Sequence, residues 1–224
     1  MKKNRSKLLV LCLLFTTHVI YVQSSFLSSI FTSDELTTQN KIVQYYDNLI
    51  TASVGDNKAI AESYNVYMNR LWQDMGSGSW RGVDTVTYND YARFFQTLNQ
   101  LHLQEYYTFE DTAMFFYSKD KADTIKIYFP YNLELNREGK FMCLLKVVSD
   151  YDSVVATVHD QLSTAGDFSP TFYAGMISGY SHFDYNNKIH RLIAIVALMK
   201  RTPPINVPKG FYQYRTHIPL GKFI

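Results

Sequence analysis

Between Ile189 and Met199 the chain is apolar on nearly every face that a helix can present. Such a helix has no side to give to water and is normally buried centrally. The rest of the chain therefore has to be built around it. Lys200 and Arg201 follow and suit the negative end of a helix dipole, and Pro203-Pro204 then forbid continuation.

Most of the chain before this point repeats its apolar residues at the 3.6 period of a helix. From Asp34, Leu36, Val43, Tyr46, Leu49 and Ile50 share one face, until Gly55 ends it. Asp56 restarts a helix with Ile60, Tyr64, Tyr67, Met68, Leu71, Trp72 and Met75 inward, and the tight Gly-Asp turn predicts an αα-hairpin. A third helix is expected over Tyr91, Phe94, Phe95, Leu98 and Leu101. Phe141, Leu144, Leu145, Val148, Tyr151, Val155, Val158 and Leu162 read as one long helix closed by Gly166. Ser169-Pro170 reads as an N-cap with proline at the first helical position, ahead of Tyr173, Met176, Ile177 and Tyr180. Asn186 or Asn187 is placed to cap the apolar helix.

Residues 113–135 read two ways. Thr108 with Asp111 resembles a capping box, which would start a short helix through Met114 and Phe116. Against that, Ile125, Ile127 and Phe129 alternate with Lys126 and Tyr128 as in a strand. Phe115–Ser118, a polar turn and Thr124–Phe129 then make a β-hairpin, which would have to pack on the helices to be stable.

Two ends of the chain differ from this body. The first 24 residues run from a basic start (Lys2, Lys3, Arg5, Lys7) through an apolar stretch to Val22-Gln23-Ser24, the anatomy of a secretory signal peptide. Their strongest apolar run, Leu8 to Phe15, falls well short of the roughly 20 residues a spanning helix needs. The working chain is therefore expected to be exported, periplasmic or extracellular, and soluble. Cys12 would leave with the signal, and Cys143, then without an intramolecular partner, is expected as a buried, inert thiol on the apolar side of its helix.

At the other end, four of the six prolines fall in residues 203–224, where Phe211, Tyr212, Tyr214 and Phe223 are interleaved with Lys209, Arg215 and Lys222. This is an extended arm that either wraps its own body or reaches a partner. Charge follows the same division. Beyond residue 24 all 20 acidic side chains lie before residue 185, whereas residues 185–224 hold seven basic residues and no acidic one. The basic end either neutralises the acidic body or meets an anionic surface such as lipid headgroups, a cell-wall polymer or an acidic protein. Export removes the chain from nucleic acid.

The sequence carries no phosphate-binding glycine loop, no His-Glu-x-x-His, no Cys-x-x-Cys and no Gly-x-Ser-x-Gly elbow, and it implies no cofactor and no metal. Gly76–Gly82 reads as a connector, in which Trp80 is suited to stacking and Arg81 to pairing a carboxylate. The densest polar group is His182-Phe183-Asp184-Tyr185 with His190. Imidazole and carboxylate serve equally as zinc ligands, as a base with its orienting acid, or as plain helix caps. Glu105, Glu110 and Asp111 form a second cluster, and paired carboxylates at the right separation cleave glycosidic bonds.

Together these features predict a mainly α protein: one compact domain of about six or seven antiparallel-paired helices over residues 25–202, with a β-hairpin as a candidate insertion and an extended arm over 203–224. The leading functional expectation is an exported, non-enzymatic binding protein of inhibitor, immunity or adaptor type, engaging another protein. Trp80, Arg81, Lys209, Phe211, Tyr212, Tyr214 and Arg215 are its candidate contacts. A cell-envelope hydrolase using His182, Asp184 and His190, or Glu105 and Glu110, is the alternative. A third reading has the arm on an anionic polymer or membrane surface. The sequence sets no oligomeric state.

Overall fold

A computed structural model of the chain describes residues 26–55, 57–76, 93–95, 97–118, 123–179, 182–201 and 216–218. The predicted signal segment lies outside them.

A helical turn at 26–30 leads into α1 (Ser33–Val54). Thr32 and Glu35 start α1 as a capping box. The Thr32 hydroxyl accepts from the Glu35 N–H (3.4 Å), and the Glu35 carboxylate accepts from the Thr32 N–H (2.7 Å). Gly55, at φ 105°, ends it. Its partner α2 (Ile60–Gly76) packs on it, and the Tyr64 hydroxyl donates to Asp47 (2.8 Å). Tyr64, Tyr67, Met68 and Leu71 are buried as expected, but Trp72 is 44% exposed, on the edge of the apolar stripe.

The third helix is not continuous. The described residues hold a turn at 93–95 and α3 (Gln100–Leu103), separated by Thr97–Asn99. Asn99 accepts from the Leu101 N–H (3.0 Å), so its side chain opens a new helix instead of prolonging the old one.

The Thr108–Asp111 pair caps no helix. It lies in β1 (Tyr107–Ser118), antiparallel to β2 (Asp123–Leu135), so the hairpin is real and longer than the sequence suggests. Register runs from Tyr107↔Leu135 to Ser118↔Asp123, with one irregularity. There Asp111 faces Pro130 and Tyr131, because Glu110 pairs with Asn132 and Thr112 with Phe129. Proline cannot donate to the ladder, and a bulge is where a strand tolerates it. The base of the hairpin is anchored by buried Tyr107, Leu133 and Leu135. Of the arm, β3 (Thr216–Ile218) pairs antiparallel with β2 at Thr124–Lys126.

The expected long helix is two, α4 (Lys140–Ser149) and α5 (Ser153–Ala165), packed on each other. Asp152 caps α5, its Oδ1 accepting from the N–H groups of Val154 (2.9 Å) and Val155 (3.2 Å). Tyr151, assigned inward by spacing, sits at the corner and is 74% exposed. Cys143 is exposed as well, a correction to its predicted burial. At about 100° per residue it lies some 200° round from Phe141, on the outer face of α4.

Helix α6 (Pro170–Ser178) begins as predicted, with the Ser169 hydroxyl accepting from the Phe172 N–H (3.1 Å). It packs on α2. Helix α7 (Lys188–Arg201) is capped by Asn187, which accepts from the Ile189 N–H (2.9 Å). Every residue from Leu192 to Met199 is buried, so α7 is the axis of a mainly α fold. Tyrosines close around it. The hydroxyl of Tyr107 donates to the Val196 carbonyl, and that of Tyr173 to the Ala197 carbonyl (2.9 Å). Part of the tyrosine richness is thus explained by rings that fill a core and hydroxyls that find helix carbonyls.

Candidate functional site

Between α6, which ends at Ser178, and α7, which starts at Lys188, residues 182–187 form a loop that carries the histidine and aspartate singled out above. Gly179, at φ 78°, turns the chain out of α6. The N–H of His182 donates to the Gly179 carbonyl (3.3 Å). His182 itself stands at φ 53°, the one described non-glycine residue in left-handed backbone, and its side chain is exposed. A residue with a Cβ holds that conformation only where its surroundings impose it.

What imposes it lies further along the loop. The Asp184 carboxylate turns back to accept from the Asn186 N–H (2.9 Å) and carboxamide (3.1 Å), and the Asp184 carbonyl accepts from the Asn187 N–H (2.9 Å). Arg191 donates to the carbonyls of Tyr185 (2.7 Å) and Asn186 (3.2 Å). Buried His190 then fixes the loop from α7. Its Nδ1 accepts from the Asp184 N–H (2.9 Å), and its Nε2 lies 2.9 Å from Asp152 Oδ2. An Nδ1 that accepts leaves the ring proton on Nε2, so the neutral ring donates to Asp152. The Asn187 carboxamide donates to the same Oδ2 (3.4 Å). Asp152 thus caps α5 with one oxygen and holds His190 with the other.

His182, Asp184 and His190 therefore do not converge on one point. His190 meets the backbone of Asp184, not its carboxylate, and its acidic partner is Asp152. Sequence reading missed that residue. Its signal was available: two aspartates in Asp150-Tyr151-Asp152 interrupt an apolar-periodic run just before a serine, which is a stop-and-start mark.

Two clefts open on either side of α6, and His182 lines both. The smaller, about 170 Å³, has buried Met68, Met176 and Ile177 in its lining and exposed Asn65 and Asn69. The larger, about 390 Å³, lies between α5 and α6. Ser153, Thr157 and Gln161 line it at successive four-residue steps of α5, with Thr171 and Gly175 across from them. Among the described residues neither lining contains an Asp, Glu, Lys or Arg.

Glu105 is engaged elsewhere. Its Oε2 accepts from the Lys140 N–H (3.1 Å) and its carbonyl from the Phe141 N–H (3.1 Å), so it serves the start of α4. A Cβ at Gly139 would collide with that carbonyl, which is why the N-cap there is glycine. The Lys140 ammonium donates to Glu35 Oε1 (2.6 Å) and Oε2 (2.7 Å) and stands 3.9 Å from Glu105. Burial alone would raise the Glu35 carboxyl, but the bonds from Lys140 and Thr32 outweigh it and hold it below its usual range. The bond to Glu35 raises Lys140 in turn. Glu110 stands in β1 opposite Asn132. Trp80, Arg81, Lys209, Phe211, Tyr212, Tyr214 and Arg215 lie outside the described residues.

Among the described residues no three His, Cys, Asp or Glu side chains gather where one metal ion could be held, and no helix is long and apolar enough to cross a membrane. No family model, no curated protein and no solved structure matches the chain.

Proposed function

We propose that this chain is an exported, non-enzymatic binding protein whose partner is another protein, and that the face around His182 is where it binds. One observation carries the reading. Of the groups that hydrolysis would draw on, His190, Asp184 and Glu105 are committed to holding helix starts and the loop before α7, whereas the exposed face beside them offers two clefts without a charged side chain among the described residues, divided by an imidazole. The smaller cleft is well below the roughly 300–1,000 Å³ of small-molecule sites. It suits a single apolar side chain of a partner, and methionines in its lining adapt readily to such a guest. The hydroxyls of Ser153, Thr157 and Thr171 and the Gln161 carboxamide along the larger cleft donate and accept alike, as peptide backbone requires. Export rests on the first 24 residues, and the basic aromatic arm supplies a second contact surface.

Capture from an envelope extract of the source tests this, using residues 25–224, the same chain ending at Thr202, and Thr157→Lys, which puts a charge into the uncharged cleft from an exposed position. The reading expects one stoichiometric protein, retained through a high-salt wash and lost with Thr157→Lys. Retention unaffected by Thr157→Lys but lost without the arm would move the site to the arm. Capture of no protein by any of the three would overturn the proposal.

A further inference from the structure

We propose that His190 is a proton-operated latch on the loop that walls both clefts, so that acidification releases residues 182–187 and with them the binding face. This rests on the binding reading for what the latch serves, but its mechanism stands on geometry alone. In the neutral ring both nitrogens are matched, Nδ1 to the Asp184 N–H and Nε2–H to Asp152. A second proton has only Nδ1 to go to. There it faces the Asp184 N–H, donor against donor, and the Asp184 backbone has to leave.

The groups around His190 decide which bond breaks. The Asp152 carboxylate keeps its bond to Nε2–H whether or not Nδ1 carries a proton. The Asp184 carboxylate is turned to Asn186. On α7 itself, Lys188 donates to Asn40 (2.7 Å), and Arg191 faces Asp47 (3.4 Å) and the loop carbonyls. No cation is directed at the ring by these contacts, so the ring stays on Asp152 and the loop is what moves.

Release propagates through aromatic contacts. The Phe183 ring meets His190 edge-on at 5.5 Å and stacks on Tyr185 at 6.0 Å, which stacks on Tyr64 of α2 at 5.0 Å. Phe183 and Tyr185 line the smaller cleft, and His182 lines both. Left-handed backbone at His182 relaxes once Asp184 is free. Histidine is the side chain whose charge changes between about pH 5 and 8.

The test is nitrogen-15 NMR of the full chain, which needs no partner. At neutral pH the His190 ring should show a protonated Nε2 and a bare Nδ1. As the ring takes its second proton, the exchange protection of the Asp184 amide should fall by about five- to tenfold at the same midpoint. Amides at the hairpin base should not follow it. His190→Asn, whose carboxamide oxygen accepts from Asp184 without titrating, should abolish the step. If that variant does not fold, the wild-type chain itself decides, because the midpoint of the Asp184 step must coincide with that of the His190 ring and not with that of His102, His159 or His182. The latch is overturned by a proton on Nδ1 at neutral pH, by a ring that stays neutral down to about pH 5, by Asp184 protection that survives ring protonation, or by a step whose midpoint follows another histidine. A step without partner capture would sink the binding reading and spare the latch; capture without a step would do the reverse.

Discussion

Two polar junctions tie helix starts together across long stretches of chain, and they rest on opposite electrostatics. At one, Lys140 at the start of α4 is held by Glu35 at the start of α1 and approached by Glu105. At the other, His190 near the start of α7 is held by Asp152 at the start of α5. Both place carboxylates where helix N–H groups and dipoles favour them. The first is an ion pair that stays charged across the whole neutral range. The second pairs a carboxylate with a ring that is neutral in this arrangement. A charged junction gives a permanent pin, whereas the neutral histidine also accepts from the Asp184 N–H, a bond that one proton can cancel.

The sharpest way to break that comparison is Asp152→Ala. It removes the α5 cap, worth about 0.5–2 kcal/mol, and leaves the buried His190 N–H without an acceptor, worth about 1–3 kcal/mol. Stability at pH 7 should fall by about 3 kcal/mol, read as a lower urea midpoint at unchanged slope. A loss within about 0.5 kcal/mol, the size of an ordinary surface change, would mean that the second junction holds nothing together.

Lys140→Met should cost less, about 1 kcal/mol, because the lysine is 32% exposed and water screens the pair. Its pH signature matters more than its size. Glu35 is lowered in the folded chain, so its contribution is full above the ordinary carboxyl value and lost as pH falls through the lowered one. Lys140 is raised, so its contribution is full below the ordinary lysine value and lost as pH rises through the raised one. Lys140→Met should therefore flatten both limbs of the stability profile and leave the region between pH 5 and 8 parallel to wild type. A change of slope inside that window would show that the charged junction is coupled to the histidine, and the contrast between the two would fail.

The contrast also explains what the sequence made legible. The buried axis was readable because an all-round apolar segment has only one place to go, and so was Ser169-Pro170, because a cap and its proline are local chemistry. The break at residues 150–152 was hidden by coincidence of phase: Val148, Tyr151 and Val155 keep helical spacing across two separate helices, although Tyr151 ends in solvent. Thr108 and Asp111 imitate a cap, but their neighbours Tyr107 and Leu135 pair in a sheet that only a partner 28 residues away can supply. Of the site, the cluster at 182–190 stood out, but not its organisation. Nothing in local sequence says that His190 will choose an aspartate 38 residues earlier and the backbone, not the carboxylate, of the one six residues before it.

His182→Gly has the smallest expected effect and the most direct bearing on what the histidine junction is for. Left-handed backbone costs a residue with a Cβ about 1–2 kcal/mol, and the extra freedom glycine gives the unfolded chain returns about 0.5–1 kcal/mol of that. The variant should therefore be more stable by about 0.5 kcal/mol in urea, since among the described residues the exposed imidazole makes no hydrogen bond that the change would break. A chain that gains stability on losing a side chain was keeping that side chain for something other than its fold. If the gain is accompanied by loss of partner capture, the strain at His182 belongs to binding. If His182→Gly instead destabilises by more than about 1 kcal/mol, the imidazole is part of the junction itself, and the clefts it divides lose their claim to be the functional face.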